Sequence, residues 1–508
     1  MPHAIKRVAP PGVKTLVVDM NCMIYHVLKE PKMEATIYPG EEGRLVWEKK
    51  LQDEVCSYLT HIWRAAGAPA HVYVALDGVV PYAKIKQQRF RRFKGVVCGD
   101  SPTWDKNAIT PGTNFMLNMG NALRQCATKF GWIISDTDQP GEGEHKVLQW
   151  LLKPETGLQE GPIIVYGLDA DLILLCLIAG DKLGPNFPIY LLREAMAFGK
   201  LVRLNGTDEV DLGFFQISTL KESLQSINGA RGVWTKEQFY DYIFGMSFCG
   251  NDFLPTGLSL RIRDEGHSIL LYGLRDLWHS RLHLITIDAA GILRPSPEGL
   301  KAFAVWMVKQ EERLILATIR RKMTARLGED EAENLPLLEQ AEKPMIEMRN
   351  QEAHLRRDWH SIYCRLALGE DSLEHRQERV ADFWKGWCWI LDYYQGRPVD
   401  LEWVYSVGYP PSWSDLVRFF NIPAPDTWSM RLPLEPQEQL ALVLPVSSWG
   451  LLSRSPYRNL PALVPQFWPS TFGLETLGKR FGWECEPAIP MLSPARLRFE
   501  FQRMNKGK

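Results

Sequence analysis

Between residues 13 and 255, short apolar runs alternate with helical stretches, and an acid stands where one run after another stops. Thr15–Val18, Val72–Leu76, Trp132–Ile134 and Ile163–Tyr166 read as strands. Glu48–Ala66, Asn114–Phe130 and His145–Leu152 read as helices. This alternation predicts an α/β fold, a parallel sheet with helices on both faces. In open sheets of that kind, ligands gather beyond the carboxyl ends of the strands. Asp19, Asp77, Asp136 and Asp169 fall at or just past those ends, so residues distant in sequence are expected on one rim.

The acids carry a second signal. Glu142 and Glu144 stand two apart in Pro140-Gly-Glu-Gly-Glu-His145, and Asp169 and Asp171 two apart in Tyr166-Gly-Leu-Asp-Ala-Asp171. Asp252 follows a helical stretch in Gly250-Asn-Asp. Any single one of these acids could be a helix cap or a turn residue, and Asp136 and Asp138 fit that description best. Paired acids repel unless something positive lies between them, and Gly141 and Gly143 let the backbone aim both inward. Asp19, Asp77, Glu142, Glu144, Asp169, Asp171 and Asp252 therefore predict a pocket for hard divalent cations. Two such ions can activate a water and stabilise the leaving oxygen of a phosphodiester.

Between the acids lies Lys84-Ile-Lys-Gln-Gln-Arg-Phe-Arg-Arg92, a run with no acid in it. If helical, it places Lys84, Gln88, Arg91 and Arg92 on one face. Clustered donors of this kind suit a phosphate, although a solvated basic face has the same pattern. Ile109-Thr-Pro-Gly-Thr113 reads as a turn opening a helix. Tyr25, His26, Trp403 and Trp413 could stack on bases or pack in the core.

Residues 309–380 are highly charged and read as long exposed helices joined by an acidic loop at 328–333. After 380 the chain turns aromatic, with Trp384, Trp387, Trp389, Tyr393, Tyr394 and Trp403, and its apolar content is too high for disorder. The expected division is an α/β core over 1–308, a charged helical linker over 309–354 and a second region over 355–508. The net charge of −1 gives no global sign of a nucleic-acid partner, so only local charge bears on that question. Nine cysteines with no C-x-x-C argue against a disulfide framework and a structural zinc site. No stretch approaches the roughly 18 uninterrupted apolar residues of a membrane span. The expectation is a soluble intracellular protein, cytoplasmic rather than nuclear, with no membrane partner.

Six segments occur in the same order in a known family. They are Asp19-Met-Asn, Asp77 through Arg92, Ile109-Thr-Pro-Gly-Thr113, Pro140 through His145, Tyr166 through Asp171, and Gly250-Asn-Asp-Phe-Leu-Pro255. On them the chain resembles the XRN family of 5′-to-3′ exoribonucleases, relatives of flap endonucleases and PIN-like nucleases. Trp359-His-Ser-Ile-Tyr363, Gly386 through Tyr394, Trp403-Val-Tyr405 and Leu432 through Leu440 resemble, more loosely, the family's second conserved region.

The resemblance implies a PIN-like core, with the aromatic region packed against it as a buttress. It implies processive, Mg²⁺-dependent removal of nucleotides from single-stranded RNA bearing a 5′-monophosphate, with Mn²⁺ able to substitute. The seven acids would be the catalytic metal ligands for two ions. Lys84, Gln88, Arg91 and Arg92 would form the 5′-phosphate pocket. Tyr25 stands where the family has a base-stacking His, and Trp403 is kept from its Trp-rich stretch. The chain is expected to be a monomer without the extra C-terminal domains of large members. A DNA-directed or structure-specific 5′-nuclease using the same acids is the alternative.

Overall fold

The computed structural model describes residues 5–97, 104–197, 200–203, 210–227, 233–329, 331–424, 428–429, 431–452 and 455–506. The chain divides into two compact units, each built from separated segments. The first takes residues 1–80, 100–229 and 433–458. The second takes residues 81–99, 230–432 and 459–508.

The first unit is organised on one sheet. In chain order its strands are β1 (Ile5–Lys6), β2 (Thr15–Asp19), β3 (His71–Ala75), β4 (Ile133–Ser135), β5 (Ile163–Tyr166) and β6 (Ile189–Glu194). A two-stranded pair, β7 (Met196–Ala197) and β8 (Lys200–Leu201), precedes β9 (Leu212–Gln216). The seven-stranded sheet runs β1-β9-β6-β5-β2-β3-β4. β2 pairs in parallel with β3 and β5, β3 with β4, and β5 with β6. β9 is antiparallel to β6 and to β1. All five residues of β2 are buried, as a strand covered on both faces requires.

The α/β expectation is met, and the four expected strands appear within one residue of their expected bounds. The helices of this unit include α1 (Asn21–Val27), α2 (Pro31–Glu34) and α3 (Arg44–Ala65). Strand order reverses at β2. The chain lays β3 and β4 on one side of it, then β5 and β6 on the other. Such a switch point opens a crevice at the carboxyl ends of the strands. Asp19 is the last residue of β2 and lies opposite Ala75 at the end of β3.

The second unit is mainly helical. It contains α4 (Tyr82–Val97), whereas α5 (Asn114–Phe130), α6 (Gly143–Leu152), α7 (Asp171–Leu183) and α8 (Ile217–Ile227) belong to the first unit. The second unit continues with α9 (Lys236–Gly245), α10 (Gly266–His279) and α11 (Pro297–Met323). Helix α11 runs straight through position 309. The exposed charged helix expected there has a buried face, on which Glu311, Leu314, Ile315, Ile319 and Lys322 are enclosed. Lys322 satisfies its charge on Glu342 at 2.7 Å. Glu311 accepts the Trp413 amide at 2.7 Å, and burial pushes its carboxyl up to about 7. Later come α12 (Glu331–Glu339), α13 (Trp359–Tyr363), α14 (Leu373–Tyr394) and α15 (Trp413–Arg418). Trp384, Trp387 and Trp389 of α14 are fully buried. Phe248 stacks between Trp387 and Phe303, at 5.8 and 5.2 Å.

Candidate metal and phosphate sites

The amino end of α6 builds the acidic edge of the first unit. Gly141 has φ +112°, a backbone conformation that side-chain-bearing residues rarely adopt. It turns the chain so that Glu142 is the extended N-cap and Gly143 the first helical residue. The Glu142 side chain makes no capping bond. Asp77 does that work from the loop after β3, its Oδ1 accepting the Gly143 amide at 2.7 Å. Its Oδ2 accepts Asn21 Nδ2 at 3.0 Å, and its own amide donates to Asn21 Oδ1 at 3.1 Å. A carboxylate placed there also meets the positive end of the helix dipole.

Asp19 is held by close approach. A Cβ on Gly143 would stand 2.4 Å from Asp19 Oδ1. A Cβ on Gly167 would stand 3.4 Å from Asp19 Cβ and 2.4 Å from Leu172 Cδ2. The two glycines of the paired-acid motifs thus let α6 and the β5–α7 turn close on the end of β2. Asp169 lies exposed in that turn, with Oδ1 on the Ala170 amide at 3.0 Å. Its carbonyl accepts from Arg193. Asp171 opens α7 and is half-buried. Six of the seven predicted acids therefore gather at the carboxyl ends of β2, β3 and β5.

These residues fit a divalent cation by their donor chemistry. Asp19, Glu142 and Glu144 are 8%, 2% and 5% exposed. Glu142, Glu144 and His145 bring ligand atoms within 4.8 Å of one another. Two carboxylates that close repel by about 3 kcal/mol or more at an effective dielectric near 20, which a bound cation offsets. The reading of the sequence missed Lys146, one turn past Glu142. Its ammonium donates to the Leu76 carbonyl at 2.7 Å and the Asp136 carbonyl at 2.8 Å, tying both strand ends from behind. Burial lowers its pKa to about 8 against the pull of Asp77, Asp136 and Asp138.

Asp252 and the basic helix belong to the second unit. Asn251 shapes the turn by accepting the Phe253 and Leu254 amides at 3.0 and 2.9 Å. Asp252 forms an ion pair with Lys84. Lys84, Gln88 and Arg92 are buried on one face of α4, and Arg92 donates to Gln88 Oε1 at 3.3 Å. Arg91 is exposed. The other cations of the run are structural. Lys86 donates to the Tyr405 and Val407 carbonyls at 2.9 and 3.2 Å, and Lys94 to Cys485 at 3.1 Å. Arg89 is 1% exposed, bonds the Phe467 carbonyl and lies 4.3 Å over Phe93. Burial lowers its pKa to about 10. The basic run thus divides into cations held by distant carbonyls and the four predicted residues, of which Lys84, Gln88 and Arg92 are buried and Arg91 is exposed.

The stacking candidates differ from one another. Tyr25 is half-buried on α1. His26 is enclosed, with Nε2 2.9 Å from Glu30 Oε1 and its ring 4.6 Å from that of Tyr58. Trp403 is 4% exposed, donates to Asp382 at 3.0 Å and packs 5.3 Å from Trp389. For His26 and Trp403 the structure gives the core placement, because protein already covers their rings. Thr113 caps α5 through the Met116 amide at 3.2 Å, as a turn opening a helix should. Asp136 pairs with Arg124 and bonds the Thr137 amide at 2.6 Å, the turn role expected of it.

A family model described as the XRN 5'-3' exonuclease N-terminus matches residues 3–99 and 97–195. One described as the Xrn1 helical domain matches residues 319–507. The chain is 24% identical to 5'-3' exoribonuclease 1 of Schizosaccharomyces pombe, over 96% of this chain and 46% of that protein. It is 26% identical to 5'-3' exoribonuclease 1 of Homo sapiens, over 97% of this chain and 33% of that protein. With 5'-3' exoribonuclease 2 of Candida glabrata it shares 32% identity over 45% of this chain and 28% of that protein. The chain thus spans half or less of the length of these relatives. No helix among the described residues is long and apolar enough to cross a membrane.

Proposed function

The chain belongs to the XRN family, and from that premise we propose that it is a 5′-to-3′ exoribonuclease acting on RNA with a 5′-monophosphate. The observation that carries the reading is the close approach of Gly143 and Gly167 to Asp19, which draws two paired-acid motifs onto one strand end. Asp19, Asp77, Glu142, Glu144, Asp169 and Asp171 of the first unit would hold two Mg²⁺ ions. When bound, these supply charge neutralisation at the scissile phosphate and a water activated at neutral pH.

The residues of the chain do the rest. Asp77 fixes the amino end of α6 and so the aim of Glu142 and Glu144. Lys146 holds the ends of β3 and β4 in register from beneath. Lys84, Gln88, Arg91 and Arg92 receive the terminal phosphate, the arginines by their planar fork and Lys84 as a point charge. Lys84 already pairs with Asp252, so an arriving phosphate competes for the same ammonium. A group matched to a monophosphate leaves capped and triphosphate ends outside. Single-stranded RNA as substrate, a monomeric enzyme and a cytoplasmic setting complete the proposal.

The test is digestion of one RNA carrying a 5′-monophosphate, triphosphate or hydroxyl, with and without Mg²⁺, beside a DNA of the same sequence. Rapid Mg²⁺-dependent release of mononucleotides from the monophosphate alone is expected. The double variant Asp169→Ala/Asp171→Ala should lose several orders of magnitude in rate while still binding RNA. Equal turnover of DNA would favour the DNA-directed reading, and near-normal turnover by the double variant would overturn the metal assignment.

A further inference from the structure

His360-Ser-Ile-Tyr-Cys364 puts an imidazole and a thiol one helical turn apart in the second unit, and the nuclease proposal uses neither. His360 lies in α13, and Cys364 begins a π-helical turn, Cys364–Leu368, a local form found often at functional sites. Opposite them stands Asp415 of α15. His360 Nε2 lies 3.2 Å from Asp415 Oδ2, and Cys364 Sγ lies 3.8 Å from the same oxygen. The three ligand atoms all fall within 4.8 Å of one another.

We propose that His360, Cys364 and Asp415 form a Zn²⁺ site. Zinc binds Cys sulfur at about 2.3 Å, His nitrogen at about 2.0–2.1 Å and carboxylate oxygen at about 2.0–2.2 Å. The edges of such a tetrahedron are ~3.3–3.6 Å. The observed 3.2 and 3.8 Å edges bracket that range, so the donors stand close to the spacing the ion needs. A mixed sulfur, nitrogen and oxygen set selects zinc over the hard Mg²⁺ of the acidic edge.

The surroundings support the site. The Cys364 and Asp415 side chains are enclosed, and His360 keeps a quarter of its side chain exposed, which gives the ion an entry side. Arg376 grips the Asp415 carboxylate through Nε at 3.0 Å and through Nη2. It orients that carboxylate and balances its charge, as outer partners do for metal ligands. The Ser412 hydroxyl, whose oxygen accepts the Asp415 amide at 3.1 Å, lies 2.7 Å from His360 Nε2 and would give up that nitrogen to the ion. Binding releases the Cys364 thiol proton to solvent and leaves the imidazole neutral, with its proton on Nδ1. A solvent water takes the fourth place. The ion would clip α13 to α15.

The test uses the full-length protein stripped with a chelator and then titrated with Zn²⁺ or Co²⁺. One equivalent of Co²⁺ should give the intense visible bands of tetrahedral cobalt together with a sulfur-to-cobalt band. Zn²⁺ should abolish both. Oxygen-only ligands cannot produce the sulfur band, so metal on the acidic edge does not confuse the result. Cys364→Ser should remove that band, and His360→Gln should weaken Zn²⁺ binding by at least about tenfold, the lower bound for losing even an outer partner. Absence of the sulfur band in the wild type overturns the site. So does its persistence in Cys364→Ser, or unchanged affinity in a folded His360→Gln.

Discussion

Gly143→Ala is the sharpest probe of the acidic edge, because it adds one methyl group at a known distance from one carboxylate. The new Cβ would lie 2.4 Å from Asp19 Oδ1, where ordinary contact begins at 3.4 Å, and 3.1 Å from the Ala75 carbonyl. Asp19 or the start of α6 must therefore yield by about 1 Å. A displacement of that size at a reacting centre costs about 100-fold in rate. The fold should tolerate the change. Gly143 sits inside the first turn of α6 without a positive φ, and Ala is favoured over Gly in a helix by about 1 kcal/mol. The expected outcome is roughly 100-fold slower Mg²⁺-dependent release of mononucleotides, with a melting temperature near that of the wild type. The measurements are single-turnover digestion of 5′-monophosphorylated RNA and a thermal melt of the same sample. Wild-type turnover would refute the reasoning, since Asp19 could then move 1 Å without consequence.

Three further outcomes are expected. Arg91→Ala should slow digestion of monophosphorylated RNA by about tenfold or more, from a charge-assisted bond of about 1.5–3 kcal/mol, and hydroxyl-ended RNA much less. An equal loss on both substrates in parallel rate assays would leave α4 only a general electrostatic surface. Glu475 faces Glu486 across a two-stranded pair, and burial together with that neighbour raises its pKa to about 7. Its protonated form favours the fold, so its contribution is full below about pH 4.5 and fades as pH rises through 7. Glu475→Gln should raise the melting temperature at pH 8 relative to wild type and not at pH 4, and a shift independent of pH would contradict this. Truncation near residue 350 separates α11 from Trp413 and removes residues 433–458 from the first unit, so the product should be insoluble or inactive. A soluble 1–350 fragment that degrades RNA would show those contacts to be dispensable.

The parts of the site that were legible in the sequence obey local rules. A buried strand must end, and its last residues must turn, so Asp19, Asp77 and Asp169 could be placed from the apolar runs alone. The helical period placed Lys84, Gln88 and Arg92 on one face of α4. What the period cannot say is which cations of a basic run are spoken for. Lys86, Arg89 and Lys94 are held by carbonyls more than three hundred residues away, and nothing local marks them. The same limit hid the ion pair of Lys84 with Asp252 and the meeting of His360 and Cys364 with Asp415. Trp403 carried the opposite ambiguity, since a stacking ring and a core ring have the same sequence. Its indole bond to Asp382 and its contact with Trp389 are tertiary facts. The antiparallel β9 and β1 flank lay outside the alternation that revealed the parallel strands.

The first unit is finished by a late segment. α16 (Pro436–Val443) supplies Gln439, which accepts the Val80 amide at 2.9 Å, and Gln437, which donates to the Gly112 carbonyl at 2.8 Å. On the ribosome, residues 230–432 must be made before that segment exists. At about 5–20 residues per second this takes on the order of 10–40 s. Throughout that interval the nascent chain carries its sheet, its paired acids and its basic helix with the closing piece still unmade. The first unit thus reaches its final form only once residues 433–458 have been made, long after the strands of its sheet.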